Sequence, residues 1–202
     1  MIFPLKKYTH LGYDYLDHVS ISTIHSGVDF NRGRPWEDLG DDVLSIYDGV
    51  VEYVGKNISG WGNIIVIYHS DYGVWSRYAH LDSISDGVIV GSSVKEGYKI
   101  GELGNTGNST SPHLHFDIIK RQIRWVSYTR FMSIENIQRI YADPIKYIKN
   151  IQKQECYDDV SNWATKSWAK AKELNIITNT DPQDMITAEQ LTVILDRCNL
   201  LK

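Results

Sequence analysis

From Val43 to Ile119 short apolar or alternating runs are broken at close intervals by glycine. Val43 to Val54 reads as two strands around Asp48-Gly49, a hairpin signal. Asn63 to His69 is a strand, Asp71-Tyr72-Gly73 its turn, and Val74 to Leu81 the returning strand. Two more short strands fall between Gly87 and Ile100, and another from His113 to Ile119. Sequential strands joined by short turns predict a mainly β, mostly antiparallel domain. In the stretch 121–142, apolar residues at 134, 137, 140 and 141 predict a short helix from Ser133 to Tyr141, closed before Asp143-Pro144.

The last fifty residues change character. Trp163, Ala164, Trp168, Ala171 and Leu174 follow helical spacing, and Asn175 stands where a left-handed cap would fall. Asp181-Pro182 marks a loop; Thr187 with Gln190 forms a capping box that opens a second helix through Leu191, Ile194 and Leu195. The expected division is therefore a β domain over residues 1–150 and a small α-helical module over 151–202, with a linker near 149–156.

The 202 residues suffice for one sizeable core and a second small module. Apolar residues make up 42% and charged residues 23%, and the 15 glycines and 13 tyrosines against 5 prolines favour strands with tight turns. The net charge of −4 is spread over both parts, so no basic face is offered to a phosphate backbone and nucleic acid is not an expected partner. Cys156 and Cys198 lie in no CxxC pair, which excludes a cysteine zinc knuckle; a bridge and two buried thiols both remain open. No run of about 18 apolar residues occurs, so no transmembrane helix is expected. Met1 to Tyr8 lacks a basic region followed by an apolar core, so a secretory signal is expected to be missing or removed.

Four segments carry candidate chemistry. In His25-Ser26-Gly27-Val28-Asp29 an imidazole and a carboxylate can meet one metal, and the glycine and valine between them argue for an extended or turn segment over a helix. In His113-Leu114-His115-Phe116-Asp117 the strand period aims both histidines to one face while Leu114 and Phe116 take the other. Tyr78-Ala79-His80-Leu81 places a histidine between apolar neighbours near a strand end. Gly101 to Pro112 is a turn-rich loop tight enough to bring backbone close to a substrate. His10, His18 and His69 belong to none of these and read as ordinary surface or strand histidines.

Taken together, the segments resemble the lysostaphin-type (LytM-like) zinc endopeptidases: HxxxD, then aromatic-Ala-His-Leu, then a Gly-x-Thr-Gly loop (Gly104 to Gly107) leading into His-Leu-His-Phe. Asp48-Gly49, Gly60 to His69 and Gly97 to Gly101 add weaker matches, and the likeness covers about residues 22–120. The resemblance implies an antiparallel β-sheet catalytic domain of that type and one Zn2+ per chain, held by His25, Asp29 and His115 with a position left for water. It makes His113 the base and His80 the stabiliser of charge on the carbonyl oxygen, and sets Asn105 and Thr106 of the loop against the substrate. It further implies hydrolysis of peptide bonds in stem or cross-bridge peptides of bacterial peptidoglycan, with a non-catalytic wall-binding or partner-activating module of the same fold as the alternative. The family's additional tyrosine finds no match in Tyr13 or Tyr15 by spacing, and Phe30 to Leu39 and 121–142 stand out as insertions. Residues 157–200 resemble one S-layer homology repeat, through Asp158-Asp159-Val160, Trp163-Ala164, Leu174 to Ile177 and Asp184 to Leu191, with Ala188 where that family has arginine. Such a module would hold a secondary cell-wall polymer, or else only pack or oligomerise. The setting then expected is the cell wall, reached by a phage lysin made in the host cytoplasm or by a secreted bacterial enzyme whose leader is removed.

Overall fold

A computed structural model describes residues 1–8, 12–31 and 36–155. The chain divides into two units, Met1–Asn150 and Ile151–Lys202, and of the second only residues 151–155 are described, as helix. The expected repeat at 157–200, with both cysteines, lies outside the described residues, as do His10 and part of the 30–39 insertion.

The first unit is mainly β. Its strands are β1 (His18–Ser20), β2 (Thr23–Ile24), β3 (Val28–Phe30), β4 (Asp42–Leu44), β5 (Gly49–Ile58), β6 (Gly62–His69), β7 (Val74–Leu81), β8 (Ser83–Ile84), β9 (Ser93–Val94), β10 (Lys99–Glu102), β11 (Leu114–Ile119) and β12 (Tyr141–Ala142), with one helix, α1 (Ile134–Ile140), before β12. The large sheet runs β12-β11-β7-β6-β5-β9, with β3 added beside β11; β4-β10-β8 form a second sheet, and β1-β2 a hairpin. All these pairings are antiparallel.

The large sheet is covered on both faces, which is why β6 reads as an unbroken apolar run. Ile64 and Val66 pack with Trp61 and Ala79 on one side, against Trp75, Trp125 and Val126. Ile65 and Ile67 alternate to the other face by the strand period and are fully buried with Tyr78 and Phe116. There the Tyr78 hydroxyl oxygen accepts from the backbone N–H of Ile46 at 3.1 Å, tying β7 to the segment that follows β4.

One local expectation is corrected. Asp48-Gly49 does not close a hairpin: β4 pairs with β10, whereas β5 pairs with β6 and β9. The Asp48 carboxylate accepts from Glu96 N at 2.8 Å and Lys95 Nζ at 2.6 Å, so this turn is fastened to the β9–β10 connection and directs the chain from one sheet to the other. The expected linker near 149–156 contains the boundary between the two units, and in the first unit Asp143 caps a helix that begins at 144, accepting from Lys146 N at 3.1 Å, with Pro144 in the first helical position.

Candidate metal centre and active site

The candidate residues meet where β3, β7 and β11 run side by side. His115 on β11 is opposite Asp29 on β3 and Ala79 on β7, and Asp117 is opposite Arg77. His25 reaches the same point because Ser26-Gly27 passes close over β11. A Cβ on Gly27 would lie 2.1 Å from the Phe116 carbonyl oxygen and 2.8 Å from Asp117 Oδ1, so this position in HxxxD requires glycine.

His25, Asp29 and His115 are buried and offer ligand atoms all within 4.8 Å of one another. His25 Nε2 is 2.9 Å from His115 Nδ1, and each of these nitrogens is 3.0 Å from Asp29 Oδ1. The far nitrogen of each ring faces an acceptor: His25 Nδ1 donates to the Asp14 carbonyl at 3.0 Å, and His115 Nε2 to Asp117 Oδ2 at 2.9 Å. The ring protons are therefore held on the outside. Two nitrogen lone pairs and a carboxylate oxygen converge, an arrangement that repels itself unless a cation sits among them. The separations approach the roughly 3.3 Å edge of a tetrahedron with bonds of about 2.05 Å, the geometry of a His/carboxylate zinc site. The donor set fits zinc.

Electrostatics agree. Burial works against charge on His115, but Asp117 and Asp29 outweigh it and raise the ring to about 9. Burial likewise raises Asp29, while hydrogen bonds from His115 and His25 outweigh it and hold its carboxyl far below the usual range. Without a cation the two carboxylates draw a second proton onto His115, which a bound metal would displace.

His80 and His113 stand beside the cluster, ring centroids 4.7 Å apart. His80 Nδ1 donates to the Thr106 carbonyl at 2.8 Å, and His113 Nδ1 to the Ser111 carbonyl at 2.8 Å. A carbonyl only accepts, so each neutral ring presents a bare Nε2. His113 Nε2 lies 3.7 Å from Asp29 Oδ2. Burial, then the neighbouring His113 and His115, push His80 down to about 3, so it is neutral at neutral pH. The backbone at His80 is left-handed, φ 62°, in a strand otherwise extended.

Thr106 holds His80 in place. Its carbonyl takes the ring N–H, and its hydroxyl donates to Leu81 O at 2.7 Å and accepts from Asn63 N at 3.0 Å. Asn105 Oδ1 is buried without a hydrogen-bond partner among the described residues. Gly107, at φ 78°, lets the loop cross Gly60-Trp61-Gly62: a Cβ there would meet Gly62 N at 2.4 Å.

Sequence reasoning missed Asp117, Arg77 and Trp61. Arg77 Nη2 lies 2.5 Å from Asp117 Oδ2, both side chains fully buried, and its guanidinium sits 3.9 Å from the Trp61 ring centroid. The signal for Asp117 was present: residues 113, 115 and 117 share one face of a strand. Nothing in the sequence pointed to Arg77, whose partner is forty residues away. The Tyr13 ring lies 5.8 Å from His25, and Tyr15 donates instead to the Tyr141 carbonyl at 3.1 Å. Of the unassigned histidines, His18 is exposed, and His69 is buried between Ser76 Oγ at 2.7 Å and the Asp48 carbonyl at 2.9 Å.

This fold and site define a class of metallopeptidase. Residues 23–126 match the family model of peptidase family M23, and the chain belongs to that family. It is similar to the catalytic domain of the antimicrobial peptidase lysostaphin from Staphylococcus simulans: 30% identity, 70% of this chain and 92% of that one covered, TM-score 0.54. It is 39% identical over 97 residues to the peptidoglycan DD-endopeptidase ShyA of Vibrio cholerae, covering 48% of this chain and 20% of the relative. It is 42% identical over 79 residues to the murein hydrolase activator NlpD of Escherichia coli, covering 39% and 20%. The chain thus spans about a fifth of these two curated relatives. No helix among the described residues is long and apolar enough to cross a membrane.

Proposed function

We propose that this chain is an active zinc endopeptidase that cuts peptide bonds in the stem or cross-bridge peptides of bacterial peptidoglycan. The carrying observation is the convergence of His25, Asp29 and His115 beside two rings that both present a bare nitrogen. One Zn2+ would be held by His25 Nε2, Asp29 Oδ1 and His115 Nδ1. When bound, it supplies Lewis acidity toward a carbonyl oxygen and toward water.

The chain's own residues do the rest. His113, its Nδ1 proton fixed on Ser111, accepts the proton of the attacking water at Nε2. A charge on His113 disfavours one on His80, whose ring centroid lies 4.7 Å away. Stabilisation of the carbonyl oxygen by His80 requires a proton on its Nε2 as negative charge develops there. We retain Asn105 as a substrate contact, supported by its unpaired Oδ1, and Thr106 through its hold on His80.

The likeness to a murein hydrolase activator favours a second reading, a non-catalytic module that activates a partner. The intact set of five site residues supports the enzyme over it. We further propose residues 1–150 as the endopeptidase and 151–202 as an S-layer-homology-like module holding a secondary wall polymer, which supports a lysin, phage-encoded or secreted. Digestion of purified walls from several species, with mass spectrometry of the new termini, tests the reading. The enzyme should release new peptide termini, and chelation should abolish them. Intact walls after incubation with zinc-loaded protein would rule for the non-catalytic module.

A further inference from the structure

The segment between β11 and α1, which the sequence marks only as an insertion, is a strap that ends in an exposed apolar tip. Arg77 Nη1 donates to the Trp125 carbonyl at 2.9 Å, and Trp61 Nε1 to the Val126 carbonyl at 3.2 Å. Tyr128 donates its hydroxyl to the Ser59 carbonyl and Thr129 its hydroxyl to the Ile24 carbonyl. Past these fastenings Phe131 N donates to Ser22 O at 2.7 Å, which joins the strap to the β1–β2 turn. Ile21 and Phe131 are thereby brought to one place, the first fully exposed and the second 79% exposed. Val19 on β1 and Ile134 at the start of α1 are exposed as well. None of the four belongs to the packed cluster of Ile24, Ile119, Ile137 and Tyr141 beneath. Phe131 has φ 60°, rare for an aromatic residue, so strained backbone holds this ring in water. Together the four side chains form a patch on the order of 300–600 Å2, the size of the largest on an ordinary monomer and one that is often functional.

The charge of this region is one-sided. Residues 1–119 carry 8 basic and 15 acidic side chains, net −7, whereas residues 120–150 carry 7 and 2, net +5. The overall −4 conceals this division. Arg121, Arg124, Arg130 and Arg139 are exposed and form no ion pair among the described residues. Of the two acids in the stretch, Asp143 is paired with Lys146 at 3.1 Å, which leaves Glu135. Arg130 stands at the tip, its guanidinium 4.9 Å from the Phe131 ring centroid. The seven residues of α1, about 10 Å of helix, lead from the tip to Arg139 in the last turn and to Lys120, whose Nζ donates to the Gln138 carbonyl at 2.5 Å.

A phosphate polymer would reward the arginines and leave Ile21 and Phe131 in water; an apolar groove on a protein would do the reverse. A bilayer of anionic lipid offers both, acyl chains to the tip and phosphate to the cations beside it. We propose that the tip of Ile21, Phe131 and Ile134, with the arginines of 121–139, seats on an anionic lipid surface. This surface does not depend on the peptidase reading.

The test sediments the zinc-loaded full chain with vesicles of mixed phosphatidylglycerol and phosphatidylcholine, and with vesicles of phosphatidylcholine alone. Binding should be confined to the anionic vesicles and fall as salt rises from about 0.05 to about 0.5 M. Arg121→Ala with Arg124→Ala should lower partitioning about 25-fold at low salt, from about 5-fold per cation. Ile21→Ser with Phe131→Ser should lower it by about 10-fold or more, and should leave zinc content and melting temperature unchanged because both side chains are exposed. Equal binding to the neutral vesicles, or none to either, would overturn the proposal. So would full vesicle binding by the double serine variant, which would place the contact elsewhere in the chain. Inorganic polyphosphate separates the remaining source: a chain that binds it with or without the serine changes, and binds no vesicle, carries a polyanion site and no lipid surface.

Discussion

Asp117 Oδ2 lies 2.9 Å from His115 Nε2, and the same oxygen takes the Arg77 guanidinium. The carboxylate keeps the His115 proton on the outer nitrogen and so leaves Nδ1 free for a metal, a relay common behind metal-binding histidines. Arg77 keeps the carboxylate charged in a fully buried position, where Asp117 is held far below the ordinary carboxylate range despite its burial. Asp117→Asn should therefore weaken zinc binding about 10–100-fold. It should also destabilise the fold by about 3–5 kcal/mol, because Arg77 is left buried and unpaired. Chelator competition and urea unfolding measure the two effects; unchanged affinity would remove Asp117 from the metal's support.

Ligation and catalysis should separate cleanly. His25→Ala, Asp29→Ala or His115→Ala should each remove most of the bound zinc, since two ligands remain. His80→Ala and His113→Ala should keep one zinc per chain and lose about 10²–10⁴ in rate. Metal analysis beside a cleavage assay checks this, and near-normal turnover by either variant would take that ring out of the mechanism.

A fragment ending at Asn150 contains all five site residues and the whole strap, and matches the first compact unit. It should fold, bind zinc and cut soluble wall peptides at close to the full-length rate. Residues 151–202 should matter on intact walls alone, by raising the local concentration of the site. Peptide cleavage by the fragment and co-sedimentation of residues 151–202 with walls decide the two halves. A folded but inactive fragment would show that the second unit completes the site.

His69 links stability to pH at a distance from the metal ligands. Burial lowers its pKa below the ordinary 6.5, outweighing the Asp48 carbonyl that it faces. The unfolded chain therefore binds a proton near pH 6.5 that the folded chain does not, and stability falls as pH drops below that value. His69→Gln should lower stability at pH 7.5 through lost packing, yet reduce the slope of stability against pH between 6.5 and 5. Urea unfolding across that range measures it; an unchanged slope would show that His69 is not the group responsible.

Strand period and turn chemistry made most of the large sheet legible, because β6, β7 and β11 carry strong apolar runs bounded by glycine or aspartate turns. The hairpin at Asp48-Gly49 misled for a physical reason: a turn signal records that the chain reverses, not which strand the next segment joins. Three ligand candidates were legible as motifs, and Gly27 shows why that spacing holds together. Arg77 was invisible because its role comes from cross-strand register with Asp117, which local pattern does not encode. The strap was legible only as an unexplained insertion, since its fastenings are side-chain bonds to carbonyls far away in the chain.

His80 adopts φ 62°, a conformation that costs a residue with a Cβ about 1–2 kcal/mol. The ring proposed to act in catalysis is thus aimed by a strained backbone. Among variants that lack the ring, His80→Gly should be more stable than His80→Ala by about 1 kcal/mol, the reverse of the usual order in a strand. Thermal melts of the two compare them directly. On the proposed reading, activity and durability pull this one position in opposite directions: a screen for heat resistance alone would drift toward glycine at residue 80 and return sturdier protein without the ring the proposed reaction uses.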